Sequence, residues 1–182
     1  MAKTSKLAFS HMGLFVSDLP MMRDFYTRLL GYTVTDEGVL NGRAITFLSQ
    51  DPREHHQIVL CEGRPDDATF TVVNQISLRA ESLGELRELY VALDREEVPE
   101  LVAITHGVAW SIYFRDPEGH RVEVFVDTPW YIDQPHRVPF DIMQPDEAIH
   151  ASEEARIKDD PSFRPIAEWR AEIAAKMGRA EA

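Results

Sequence analysis

Cysteine is almost missing from this chain. Its single residue, Cys61, permits no intrachain disulfide, so the expected setting is a reducing cytoplasm. Cys61 follows the apolar run Ile58-Val59-Leu60 and reads as a buried packing residue rather than a nucleophile. Long apolar runs are missing too, which excludes a membrane-spanning helix. Met1-Ala2-Lys3-Thr4-Ser5-Lys6 has no apolar signal core behind it. Basic residues are scarce: 19 Lys and Arg stand against 31 Asp and Glu, a net charge of −12. That balance argues against a nucleic-acid partner, which needs a basic footprint. What is present suits a globular domain with a sizeable core: 182 residues, 44% hydrophobic and 27% charged.

The chain matches itself at a fixed offset. His11-Met12-Gly13-Leu14 aligns with Gln75-Ile76-Ser77-Leu78, and the match continues through Leu19 with Leu83, Arg23 with Arg87, Tyr26 with Tyr90 and Leu29 with Leu93. A repeat of this kind reports architecture, here two similar modules in one domain with His11 and Gln75 facing a shared cleft.

Hydrophobic periodicity sets the elements of each module. Residues 8–16 alternate as a strand, with Phe9, His11, Gly13 and Phe15 on one face and Met12, Leu14 and Val16 on the other. Ser17 or Asp18 caps a helix whose stripe is Met22, Phe25, Tyr26 and Leu29, and Gly31 ends it. Strands follow at 32–36, 44–48 and 57–61. The second module repeats the plan: a strand over 70–80, a capping box at Ser82-Leu83-Gly84-Glu85, a stripe of Leu86, Leu89, Tyr90 and Leu93, then strands near 100–104, 109–115 and 120–126. Asp116-Pro117-Glu118-Gly119 fits a type I turn between the last two. The expectation is an α+β protein of paired βαβββ modules spanning 7–127, module one at 7–62 and module two at 69–127. Residues 128–182 add an irregular aromatic segment, Thr128-Pro129-Trp130-Tyr131, an acidic helix over 146–158, and a last helix marked by Ile166, Trp169, Ile173 and Met177. This extension would cover an edge of its own domain or dock on a second subunit, so a homo-oligomer is consistent with it.

Glu123 sits among Val122, Val124 and Val126 in the last strand of module two. A carboxylate there is costly to bury unless it is paired or holds a metal. The bland alternative is an edge strand with Glu123 in solvent, or an ion pair with Arg121 or Arg79. His11, Gln75 and Glu123 form a candidate metal set, resembling the two-His-one-carboxylate arrangement but with an amide in one imidazole's place. His55-His56 is either a solvated loop pair or the source of an acid–base ring, and His56 could also serve as a ligand. His106 and Tyr113 read as a loop histidine and a core tyrosine, or as donors beside the site. His120, His136 and His150 read as surface residues.

These residues resemble a known family. Phe9-Ser10-His11-Met12-Gly13-Leu14, then Phe25-Tyr26 and Leu30-Gly31-Tyr32, is similar to the opening of vicinal-oxygen-chelate proteins, a superfamily of glyoxalases, fosfomycin-resistance enzymes, bleomycin-binding proteins and extradiol ring-cleavage dioxygenases. His106-Gly107, the stretch Trp110 to Gly119, Glu123 and Asp127-Thr128-Pro129-Trp130-Tyr131 resemble most the short single-domain type I extradiol dioxygenases. The resemblance covers roughly residues 7–135. It implies a vicinal-oxygen-chelate domain with Fe(II), or another divalent metal, on His11, Gln75 and Glu123. His56 would be the acid–base residue, and His106 and Tyr113 would steer protons. The substrates implied are a small catecholic aromatic compound and O2. Gln75 stands where that family has a histidine, while glyoxalases of the superfamily use glutamine ligands. A glyoxalase-like isomerase or lyase, and a metal-free binding protein on the same fold, are the alternatives.

Overall fold

The computed structural model describes residues 7–68 and 70–178. Thr69, the expected start of module two, lies outside them. The chain divides into two compact units. One runs to Val72 and takes in Asp116–His120; the other holds Val73–Arg115 and Arg121 onward.

The first unit contains β1 (Met12–Val16), α1 (Leu19–Asp24), β2 (Thr33–Leu40), β3 (Arg43–Ser49) and β4 (Ile58–Glu62). Its sheet has the order β1-β4-β3-β2, with β1 parallel to β4 and the other pairs antiparallel. The second unit contains β5 (Ile76–Arg79), α2 (Leu83–Arg95), β6 (Val102–Thr105), β7 (Ala109–Arg115) and β8 (Arg121–Asp127). It continues with β9 (Trp130–Tyr131), β10 (Val138–Pro139), α3 (Asp146–Ile157), β11 (Arg164–Pro165) and α4 (Ile166–Lys176). Its sheet has the order β10-β6-β7-β8-β5, so the second module repeats the first and β10 is added at one edge. The paired βαβββ plan read from the repeat is the observed one.

Both opening strands are shorter than the alternation predicts. β1 begins at Met12 and β5 at Ile76. Each starts where its parallel partner emerges from a turn: Met12 aligns with Ile58 and Ile76 with Val122. Earlier residues have no ladder to join, and Phe9, Phe70 and Val72 are exposed. His11 and Gln75 therefore lie one residue ahead of their strands rather than within them.

Helix α1 is capped by Asp18, whose carboxylate accepts from the Met21 N–H at 2.9 Å. It then widens into a π-helical turn over Phe25–Leu29. The wider turn rotates the stripe by one residue, so Leu30 is buried and Leu29 only half-buried. Gly31 closes the helix at φ +73°, a conformation that suits glycine. On α2, Ser82 accepts from the Glu85 N–H, but the Glu85 carboxylate reaches the N–H of Glu81, not of Ser82. Leu83, Leu86 and Leu93 are its buried face, each side chain adding about 1.5–3 kcal/mol of burial.

The turn at Asp116 is the expected one, with the Gly119 N–H donating to the Asp116 carbonyl at 2.9 Å. It belongs to the first unit and is tied there by side chains. Glu118 accepts from the N–H groups of Ser17 and Asp18, and Arg64 donates to its carboxylate at 3.1 Å. The Tyr26 hydroxyl donates to Asp116 at 3.2 Å. His120, read as a surface residue, is buried with Nδ1 2.9 Å from Asp116. His150 is no free surface residue either: its ring lies 4.6 Å from that of Trp110. Cys61 is half-buried, not buried.

The aromatic segment is not irregular throughout. Trp130 and Tyr131 form β9, paired with β11, and Trp169 of α4 stacks on Tyr131 at 5.1 Å. Met177 falls just beyond α4 and is exposed. Among the described residues no helix is long and apolar enough to cross a membrane.

Candidate functional site

Glu123 lies on β8, an interior strand between β5 and β7, and is 8% exposed. This removes the edge-strand reading, and Arg79 pairs with Asp127 instead. Strand register supplies its surroundings. Tyr113 of β7 and Ser77 of β5 are its direct cross-strand neighbours. Ser111 and Gln75 lie two residues away from these, on the same faces. All four donate to the carboxylate. Ser111 Oγ and Tyr113 OH reach Oε1 at 2.8 and 2.6 Å, while Ser77 Oγ and Gln75 Nε2 reach Oε2 at 2.6 and 2.7 Å. The two serines were not singled out in the sequence, although each stands two residues from a candidate and so shares its face.

His106 extends this network. It occupies the turn between β6 and β7, where Gly107 adopts φ +74° and a β-carbon would meet the Ile132 side chain at 2.5 Å. His106 Nδ1 lies 2.7 Å from the carbonyl of His136, and Nε2 lies 2.8 Å from the Tyr113 hydroxyl and 3.8 Å from Glu123. His136, read as a surface residue, thus fixes the tautomer, because a carbonyl only accepts. A neutral His106 then presents a lone pair at Nε2. The single phenolic proton of Tyr113 can serve His106 or Glu123, not both. The chain His136–His106–Tyr113–Glu123 closes completely only when it carries one further proton. Burial, followed by the hydrogen bond to Glu123 and that carboxylate's charge, raises the Tyr113 pKa and keeps the hydroxyl protonated.

The first unit carries the other candidates. His11 is exposed, with its ring 4.3 Å from that of His56. His56 also packs edge-on to Phe47 at 5.1 Å, and its Nδ1 lies 2.9 Å from Nδ1 of His55. Loss of hydration lowers the His56 pKa, and the neighbouring rings of His11 and His55 lower it further. This favours the neutral imidazole, the form that accepts a proton or binds a metal.

Among the described residues no three His, Cys, Asp or Glu side chains form a cluster able to hold a metal ion. The candidate ligand that does reach Glu123 is the Gln75 amide. Glu123 nevertheless has the character of a cation ligand. It is buried, and the hydroxyl and amide donors that reach it are neutral, leaving its charge uncompensated. Rotating the Gln75 amide by half a turn would present its oxygen beside that carboxylate.

Comparison with known proteins places the chain in a superfamily. The chain is 30% identical over 175 residues to biphenyl-2,3-diol 1,2-dioxygenase 3 of Rhodococcus globerulus, covering 92% of this chain and 82% of that protein. It is 30% identical over 128 residues to biphenyl-2,3-diol 1,2-dioxygenase 2 of the same organism, covering 68% and 65%. In fold it is similar to a glyoxylase/bleomycin resistance protein/dioxygenase domain from Frankia sp. EAN1pec, with TM-score 0.58, 23% identity, and 68% of this chain and 100% of that one covered. It is also similar to the fosfomycin resistance protein FosX of Listeria monocytogenes, solved with Mn(II) and sulfate, with TM-score 0.55, 21% identity, and 68% and 95% covered. Residues 8–124 match the Glyoxalase/Bleomycin resistance protein/Dioxygenase superfamily, and the chain belongs to that superfamily.

Proposed function

We propose that this protein is a metal-dependent, extradiol-type ring-cleavage dioxygenase acting on a small catecholic compound, with Glu123, His11 and Gln75 as metal ligands. The observation that carries this reading is the buried Glu123 carboxylate joined through Tyr113 to an oriented His106. Likeness to two proteins named as diol dioxygenases supports it. Fe(II), or another divalent ion, would supply the electronic coupling between a diol and O2 when bound. The other tasks fall to side chains. Neutral His56 accepts a proton from a diol hydroxyl. Tyr113, held protonated, donates to an oxygen atom at the reacting carbon, and His106 orients it and takes part in returning the proton. In the overall reaction the ring carbon–carbon bond beside the diol breaks, and both atoms of O2 enter the product.

A glyoxalase-like isomerase or lyase is the second reading, favoured by one observation: the residue that reaches Glu123 from the position just ahead of β5 is an amide, Gln75, rather than an imidazole. The deciding experiment is purification without chelators, metal analysis by mass spectrometry, anaerobic Fe(II) loading, and an oxygen-electrode assay with biphenyl-2,3-diol and simple catechols. Stoichiometric iron with O2 uptake matching diol loss is the expected result. Bound metal without O2 uptake on any diol supports the second reading. No bound metal in either preparation argues for a binding protein.

A further inference from the structure

Two arginines beside Tyr113 take no part in the hydrogen-bond network around Glu123. Arg121 stands two residues before Glu123 on β8, so its side chain shares the Glu123 face. Its guanidinium carbon lies 5.9 Å from the centre of the Tyr113 ring. Arg137 immediately precedes β10, and its guanidinium carbon lies 6.0 Å from the same centre. In the strand order β10-β6-β7-β8-β5 the two arrive from opposite sides of β7. Arg121 is half-buried and Arg137 is exposed.

Neither guanidinium has an ion-pair or hydrogen-bond acceptor among the described residues. Arg121, one of the partners expected for Glu123, makes no ion pair with it. Other arginines of this unit do find carboxylates: Arg79 and Arg170 hold Asp127, Arg87 holds Asp146, and Arg115 holds Glu100. With 31 acidic residues against 19 basic ones, such partners are not scarce in the chain. Two cations beside one ring also repel each other, and the ring face attracts each only weakly. Burial, the bond to Glu123 and its charge raise the Tyr113 pKa; the Arg137 charge opposes them, so it is felt at the hydroxyl. The divalent ion proposed for Glu123 would add to the two guanidinium charges rather than offset them.

The donors narrow the ligand. A guanidinium presents a planar fork that matches the two oxygens of a carboxylate. Forks beside Tyr113 suit a carboxylate on the same molecule whose diol lies at Glu123. We infer that Arg121 and Arg137 recognise an anionic substituent, so that the preferred diols are catechols bearing a carboxylate on the ring or on a short side chain. The diol part of this inference rests on the ring-cleavage reading; the carboxylate part rests on the two arginines.

The probes are 3,4-dihydroxybenzoate and (3,4-dihydroxyphenyl)acetate, each compared at neutral pH with its own uncharged amide. Calorimetry on the metal-free chain should show at least one carboxylate binding at least about tenfold tighter than its amide. That preference should shrink in about 0.5 M salt. The Fe(II)-loaded chain should show the same preference in kcat/KM, carried by KM. Arg121→Met and Arg137→Met should each lower the carboxylate-to-amide preference at least about fivefold in both measurements. Arg137→Lys, which keeps the charge without the fork, should retain part of it. Arg137 is exposed, so its variants keep the test open should Arg121→Met fail to fold. Equal binding of acid and amide, an undiminished preference in either folded Met variant, or a higher kcat/KM for biphenyl-2,3-diol than for both carboxylates overturns the inference. O2 uptake on diols without a carboxylate preference removes this inference and leaves the ring-cleavage reading. A carboxylate preference in binding with no O2 uptake on any diol supports the arginine site and removes that reading.

Discussion

Two buried tyrosine–carboxylate pairs invite comparison. In the first unit Tyr26 donates to Asp116 at 3.2 Å; in the second Tyr113 donates to Glu123 at 2.6 Å. Asp116 receives its other bonds from its own turn: the N–H groups of Glu118 and His120 at 3.0 and 2.8 Å, and the His120 ring. Glu123 receives bonds from side chains alone, Ser77, Ser111, Tyr113 and the Gln75 amide. Backbone donors cannot move without the turn opening, so Asp116 is a structural hub. Side-chain donors can rotate away and leave oxygen lone pairs for a ligand, so Glu123 can exchange partners. Burial and a phenol partner are common to both pairs; the origin of the remaining donors separates their roles.

The largest effects follow from removing each carboxylate. Glu123→Ala should abolish metal binding, a loss beyond the roughly 10- to 100-fold that deleting an outer partner costs. Its urea midpoint should change little, because the donors left behind are neutral and can bond to one another. Metal content equal to that of the native chain would sink the proposed ligand set. Asp116→Ala should do the reverse. Two turn N–H groups, a buried phenol and a buried imidazole lose their acceptor, at a cost of about 3–5 kcal/mol in urea denaturation. The protein that remains folded should bind metal as the native chain does. If instead Asp116→Ala lost metal and kept its stability, the contrast between the two pairs would fail.

The comparison also explains what was legible in the sequence. The repeat carried the fold, because Leu14 and Leu78, or Tyr26 and Tyr90, mark equivalent faces whatever the strand limits. Strand starts were not legible at 8 and 70, since alternation says nothing about where a partner strand begins. Glu123, Gln75, Tyr113 and His106 were legible from face and motif, and the structure gathers those four. Ser77 and Ser111 were not, because two hydroxyls carry no signal until register sets them beside a carboxylate. The Asp116–His120–Tyr26 hub was hidden for a different reason. The turn motif predicts the backbone bond of Gly119 but not the phenol that reaches it from α1.

Alkaline titration should expose the structural half separately. Burial raises the Tyr32 pKa from 10.0 to about 12, and burial followed by the Asp116 charge raises that of Tyr26. Because the folded-state pKa lies above the unfolded one, the contribution of Tyr32 is complete below pH 10. It is lost as pH rises toward 12, amounting to roughly 2–3 kcal/mol. Tyr32→Phe has no proton to lose there. Its urea midpoint should therefore fall less steeply over that interval than the native one; parallel curves would contradict the assignment. Tyr113→Phe addresses the other half. It should lower turnover on a diol by about 10²- to 10⁴-fold with the thermal midpoint nearly unchanged. A stability loss with turnover intact would make Tyr113 a second Tyr26.

The smallest expected effect is the most discriminating. Gln75 lies one residue ahead of β5 as His11 lies ahead of β1, so the two modules present different side chains at one equivalent position. The Gln75 amide now donates to Glu123 at 2.7 Å and to Ser77 at 2.9 Å. An imidazole binds a divalent first-row metal better than a neutral amide oxygen does. Gln75→His should therefore tighten anaerobic Fe(II) binding, by about tenfold or 1.4 kcal/mol. If affinity is unchanged, Gln75 is neither ligand nor brace, and the third ligand lies elsewhere, with His56 the next candidate. If affinity falls, the amide bond to Glu123 matters more than any bond to metal. Gln75→Ala separates these cases: a brace lost should weaken metal binding through Glu123, and Gln75→Asn, too short for Glu123, should not restore it.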